Sequence, residues 1–294
     1  MKYTRQQLKI DFPNEDACLE WLKEYLYPEG ITCKKCEKIT PHHKRRSMKV
    51  YACEYCGGST SPTANTIFHK SSTPLTIWFE AIFIMAATRA GISAKQLERE
   101  TGVTYKTAWR MFHQIRSMMS DDGERLYGEI EIDETYMHAD PLKRSTIRKP
   151  HKSRKDNPVV FGMAERGGVV RAKHVKSAGE LVLLREVEEN IQRESTIYSD
   201  EHRSYKRLYK KGYYHETIQH GKRHYVDGDT HTQNIENFWG NMKRGMRGVY
   251  RHVSSQHLQN YVNEYAFRQS HRNDFQPMFW ALMDKVSISA RSKT

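Results

Sequence analysis

A chain of 294 residues with 48 Lys+Arg against 35 Asp+Glu carries a formal charge of +13, which exceeds a single small module in length and anticipates a polyanionic partner. Its 37% hydrophobic and 11% aromatic residues suffice to bury a core, so wholesale disorder and collagen-like or low-complexity classes are excluded. The most apolar run, residues 77–87, is interrupted by Glu80 and falls short of the roughly 20 residues of a membrane span, and residues 1–10 lack the apolar core of a secretory signal, so a cytoplasmic setting is expected.

Residues 14–27 (NEDACLEWLKEYLY) place Leu19, Leu22 and Leu26 at helical spacing behind Asn14 as a cap, with Cys18 as a small core residue. Next come Cys33, Cys36, Cys53 and Cys56, spaced C-x2-C-x16-C-x2-C. Each two-residue spacer wraps its pair into a knuckle, and four soft thiolates close a tetrahedron round one structural zinc ion with no position left for catalysis. Gly57 and Gly58 suit the tight turn, whereas His42 and His43 are expected to be solvated. Residues 1–72 thus read as an N-terminal helix and a zinc ribbon, folded by its ion because so short a segment buries little.

Residues 73–122 are helix-patterned, with breaks at Gly91 and Gly102 that predict three helices of about 14, 9 and 15 residues. Ser93 can cap one helix, Gly102 supplies a turn, Val103 packs into the angle and Thr104 caps the next helix, as in a helix-turn-helix DNA-binding segment. Lys95, Thr104, Tyr105, Lys106, Thr107 and Arg110 are the side chains expected to meet bases and phosphates, with Ala108, Trp109 and Phe112 in the core.

From Tyr127 the texture changes to short β-rich runs (GEIEIDETYM, VVFGMAE, VVRAKHV, TIYSD, YHETIQH), with a helix over residues 179–193 before the fourth and helical sequence after Ile235. The fold class is therefore α+β and multidomain, with a mixed sheet flanked by helices over residues 123–294. Between the first two runs, residues 140–157 form a basic loop bearing Lys143, Arg144, Arg148, Lys149, Lys152, Arg154 and Lys155, a candidate for tracking a nucleic-acid backbone.

Asp133 in the first strand, Asp200 closing the fourth and Glu236 opening a helix stand where catalytic carboxylates would be useful. In that helix Ile235, Phe238, Met242, Met246 and Val249 form the expected buried stripe, and Lys243, seven residues after Glu236, shares its face. Clustered carboxylates repel one another unless cations neutralise them, and two Mg²⁺ ions do so while activating a water or a 3′-hydroxyl for in-line displacement at phosphorus. Singly, each acid also reads as a strand-face residue beside Glu129, Glu131 and Glu134, as a cap, or as a helix-opening acid.

The words EIDETYM, YSDEHRSY, HTQNIENFWGNMKRGMRG and HLQNYVNEYAFRQSHR resemble the DDE domain of bacterial insertion-sequence transposases related to the Merlin DNA transposons, the ISXO-like group. With the ribbon and helical segment, the resemblance spans nearly the whole chain. It implies a ribonuclease-H-like core, Asp133, Asp200 and Glu236 as magnesium ligands, and Lys243, beside Arg244, as the basic residue after the last acid. Relatives often carry glycines soon after the first catalytic strand, whereas here Met137-His138-Ala139-Asp140 follows, and the third position varies in the group, which makes Asn234 and His231 reserve candidates. The implied activity is binding of terminal inverted repeats, cleavage of element ends and strand transfer into target DNA by a nucleoid-associated homodimer or higher oligomer. Two other readings are a ribonuclease-H-like nuclease that cuts without joining, and a zinc-ribbon DNA-binding regulator with a degenerate catalytic domain.

Overall fold

A computed structural model describes residues 3–46, 48–120, 123–137, 157–201, 203–218 and 232–287. The chain divides into two compact units, one of Met1–Thr88, Ile92–Met118 and Asp274–Thr294, the other of Arg89–Gly91 and Met119–Asn273.

The first unit opens with helices α1 (Arg5–Asp11) and α2 (Glu15–Leu26), whose first amides are capped by Thr4 and, as expected, by Asn14. Three short strands, β1 (His42–Lys44), β2 (Tyr51–Cys53) and β3 (Ser59–Thr60), form an antiparallel sheet that carries the cysteines. Helices α3 (Leu75–Ala87), α4 (Ala94–Thr101) and α5 (Tyr105–Met118) follow, close to the three lengths the glycine breaks predict. Eight of the 13 residues of α3 are buried, which makes it the unit's central helix. The last of the described helices, α9 (Met278–Met283), belongs to this unit and not to the sheet before it, because Phe279 and Trp280 join Tyr3, Phe12, Trp21 and Phe79 in one aromatic core.

The second unit is built on a five-stranded sheet in the order β6-β5-β4-β7-β8. Its strands are β4 (Glu129–Tyr136), β5 (Val159–Glu165), β6 (Val170–Val175), β7 (Thr196–Asp200) and β8 (Tyr214–Ile218), each on one of the β-rich runs. The first three pair antiparallel, and β7 and β8 join parallel to β4. Helix α6 (Glu180–Asn190) covers one face, where Leu183, Leu184 and Val187 meet Ile130, Ile132 and Ile197. Helices α7 (Gln233–Gly245) and α8 (Ser255–Ser270) contribute Ile235, Phe238, Trp239 and Val262 to a second core with Val160 and Ala172. A π-helical turn, Met246–Tyr250, follows α7 and shifts the helical phase, so Val249 is only half-buried where a continuous stripe is expected to bury it. None of the described helices is long and apolar enough to cross a membrane.

Candidate functional site

Cys33, Cys36, Cys53 and Cys56 present sulfur atoms that all lie within 4.8 Å of one another, a cluster placed to hold one metal ion such as zinc. The two knuckles repeat one geometry. The amides of Glu37 and Gly57 reach back to the carbonyls of Cys33 and Cys53, at 2.8 and 2.9 Å, and both residues adopt left-handed backbone. A Cβ at Gly58 would lie 3.0 Å from Cys33 Sγ, so the second knuckle needs glycine there to close on the cluster. The Thr40 hydroxyl, with the amides of Cys56 and Tyr55, pulls the Cys53 thiol down to about 6, toward the thiolate a metal requires. His42 bonds the Thr40 carbonyl and His43 leans on Glu54, so neither belongs to the cluster.

On the sheet unit, β4 is the central strand, and its odd-numbered side chains face α7. Glu131 lies opposite Tyr198 of β7 in the last pair of that parallel ladder, and Asp133 and Asp200 each stand two residues further on, on the same face by strand alternation. Burial, the neighbouring Glu134 and the Asp200 carboxylate together push Asp133 up to about 7, against the opposing hydrogen bond from Trp239 Nε1 to Asp133 Oδ2 at 2.9 Å. Lys243 lies on the Trp239 side of α7. Burial lowers its pKa and the charge of Asp133 draws it back up, so the two groups sense each other.

Glu236 occupies the exposed first turn of α7, one turn ahead of Trp239, where its Oε1 accepts a hydrogen bond from Thr232 Oγ1 at 3.0 Å. Among the described residues the three acids are not gathered as tightly as the cysteines. Asn234, the reserve candidate, directs its side-chain amide to Glu131 at 2.9 Å. His231 and the basic-loop residues Lys143, Arg144, Arg148, Lys149, Lys152, Arg154 and Lys155 lie outside the described residues.

Three residues that pattern reading passes over shape this site. Trp239 joins the buried stripe and steers Asp133. Gly162 is the register partner of Asp133 on β5, and a Cβ there would stand 2.5 Å from Trp239 Cζ2 and 2.6 Å from Ile235 Cδ1, so its missing side chain is the slot the indole fills. Glu131, one of four acids in a strand-like run, is fully buried. A glycine inside a β-patterned run was the one available signal for close approach. Gly162→Ala is expected to destabilise the sheet unit by about 1–3 kcal/mol through overpacking, read as a lowered denaturation midpoint, and to detach the indole from Asp133.

In the first unit, Ser93 and Thr104 cap their helices and Gly102 takes the left-handed turn, leaving three residues between α4 and α5. Thr104, Tyr105 and Lys106 are exposed as expected, Thr107 is half-buried, and Lys95 pairs with Glu98 at 2.5 Å. Two expectations change. Arg110 turns inward to Ser71 Oγ and Thr73 Oγ1, at 3.3 and 3.5 Å, whereas Trp109, expected in the core, is 39% exposed and packs on His113. The phase of α5 explains both: Ala108, Met111, Phe112 and Ile115 set the buried stripe, and Trp109 lies about 100° round the axis from Ala108. Arg244 is exposed and bonds Asn241.

Residues 125–270 match the ISXO2-like transposase domain family. The chain is also 27% identical over 275 residues to an uncharacterized protein in the transposable element ISH50 of Halobacterium salinarum, an alignment that covers 88% of this chain and 92% of that protein.

Proposed function

We propose, from the ISXO2-like transposase domain that residues 125–270 match, that the chain is an insertion-sequence transposase that binds the terminal inverted repeats of its element, cuts DNA at those ends and joins the exposed 3′-hydroxyls to target DNA. The observation that carries this reading is the pair Asp133 and Asp200 on adjacent parallel strands, where burial and then the charges of Glu134 and Asp200 raise the acid at Asp133. Carboxylates so placed suit divalent cations with oxygen ligands. Three antiparallel strands extended by two parallel ones, with helices on both faces, support a ribonuclease-H-like reading of the unit.

Asp133, Asp200 and Glu236 would hold two Mg²⁺ ions, which supply Lewis-acid activation of the attacking oxygen and charge stabilisation of the leaving one. Trp239 holds Asp133 in one orientation through Oδ2. Lys243, half-buried beside Asp133, is placed to hold a scissile or neighbouring phosphate as a point charge, with Arg244 on the exposed side of the helix. Glu236, on the first turn of α7, is the most exposed of the three acids, with Asn234 and His231 in reserve for the third position.

The cysteine cluster would bind one zinc ion and fold a ribbon. The ribbon and the α4–α5 pair together would grip the element ends, with Tyr105, Lys106 and Trp109 outermost and the basic residues 140–157 following the DNA backbone. A reaction on two ends calls for at least a dimer on DNA.

Labelled element-end DNA tests the proposal directly. Joined products are expected with Mg²⁺, whereas cut ends without joining would identify a nuclease, and binding without cutting would identify a regulator. Within the end-binding part, Lys106→Ala is expected to weaken binding by about 1 kcal/mol and to flatten the salt dependence by about one counterion. Titrations at several salt concentrations check this, and an unchanged slope would remove Lys106 from the phosphate contacts.

A further inference from the structure

Helix α7 does not cap itself. Its cap residue Thr232 takes none of the first-turn amides and donates its hydroxyl to Glu236 instead. The amides of Asn234 and Ile235 run to Glu131 Oε2 at 2.7 and 3.1 Å, and the Asn234 side-chain amide reaches Glu131 Oε1 at 2.9 Å. Thus a carboxylate on β4, more than 100 residues earlier in the chain, performs the capping that a local Ser, Thr, Asp or Asn usually provides.

Glu131 is fully buried, and a buried carboxylate survives only where its charge is met. Here the positive end of the helix dipole meets it, together with Arg166, whose Nε lies 3.3 Å from Glu131 Oε1. Arg166 is held in turn by Glu129 at 3.5 Å and by the Tyr198 ring, 3.9 Å from the guanidinium carbon. This arrangement exceeds what helix stability requires, since a threonine cap would serve. It adds a fixed register: Glu131 locks the helix start, and two residues further along β4, Asp133 receives Trp239. The first turn of α7, with Glu236 on it, is thereby tied to the strand that carries Asp133.

We propose that Glu131 is a positioning residue that sets the distance between Glu236 and Asp133 and so tunes their joint hold on divalent cations. The proposal rests on reading those acids as ion ligands. Residues behind metal ligands commonly change metal affinity about 10- to 100-fold when altered.

Calorimetric titration of the full chain with Mn²⁺ tests it, with Asp133→Asn defining the site. Glu131→Gln is expected to weaken Mn²⁺ binding by at least about 10-fold, to speed hydrogen exchange at the Asn234 and Ile235 amides, and to leave the affinity for element-end DNA unchanged. Asn234→Ala, which removes one bond to Glu131, should act in the same direction to a smaller degree and carries the test alone if Glu131→Gln does not fold. Val262→Ala lowers stability from the same core without touching this network, so it should leave Mn²⁺ affinity intact. Wild-type affinity in Glu131→Gln, or an equal loss in Val262→Ala, would overturn the positioning role. Wild-type Mn²⁺ binding that ignores Asp133→Asn would instead overturn the ion-ligand reading, and amide exchange would then decide whether Glu131 holds α7.

Discussion

Stripping the protein with a strong chelator, or replacing Cys53 by serine, is expected to unfold residues 28–60 while the sheet unit keeps its structure. Besides the cysteines, the buried apolar side chains among the described residues of that segment are Ile31 and Tyr51, too few to offset the conformational entropy of ordering it. Structural zinc contributes about 10–16 kcal/mol in comparable small sites at neutral pH, so its loss leaves nothing to close the two knuckles. The contacts to α2 would go with it: Tyr51 Oη on Glu20 at 2.6 Å, Lys49 on Glu15 at 2.8 Å, and Lys44 on Asp16. Limited proteolysis should show new cleavage between residues 28 and 60, and metal analysis of the intact protein should return about one zinc per chain. A metal-free protein that resists cleavage there would refute a structural ion.

Asp133→Asn is expected to abolish cutting and joining, by about 10³-fold or more, which is about 4 kcal/mol of transition-state stabilisation. Element-end binding should persist, because the proposed reading face lies on α5. The same substitution has a signature that needs no DNA. Burial and two neighbouring carboxylates raise Asp133 to about 7, so the folded chain holds that proton more tightly than the unfolded chain does. The group's contribution to stability is therefore full below the ordinary aspartate range and is lost as pH rises through about 7. Metal-free Asp133→Asn should accordingly gain stability relative to wild type between pH values of about 5 and 8, in paired denaturation curves. Mg²⁺ should narrow that gap by favouring the wild-type carboxylate. A pH-independent difference would show that Asp133 is not under this strain.

Much of the local structure was legible in residue patterns because its causes are local. Asn14, Ser93 and Thr104 cap helices where a side-chain oxygen stands ahead of an apolar period, and Gly102 takes the left-handed turn. All five β-rich runs became strands of one sheet, since alternation and β-branching act over a few residues. The cysteine spacing likewise contained its own geometry, because two-residue spacers force each pair to one side. Helix phase was less legible: Trp109 and Arg110 exchanged their expected places because hydrophobicity ranks Trp as core, while the stripe through Ala108 and Phe112 had already fixed which face was buried.

The sequence by itself determined the elements, the cysteine cluster and the list of acids, all of which depend on neighbours within a few positions. Tertiary structure alone decided which acid does what. Glu129, Glu131, Asp133 and Glu134 are adjacent and chemically alike, yet one bonds Tyr198, one caps a distant helix, one receives Trp239 beside Asp200, and one accepts the Tyr205 hydroxyl. A carboxylate's role follows from the groups around it, and here these four hydrogen-bond donors come from residues 69 to 106 positions away, brought close only by strand pairing and helix packing.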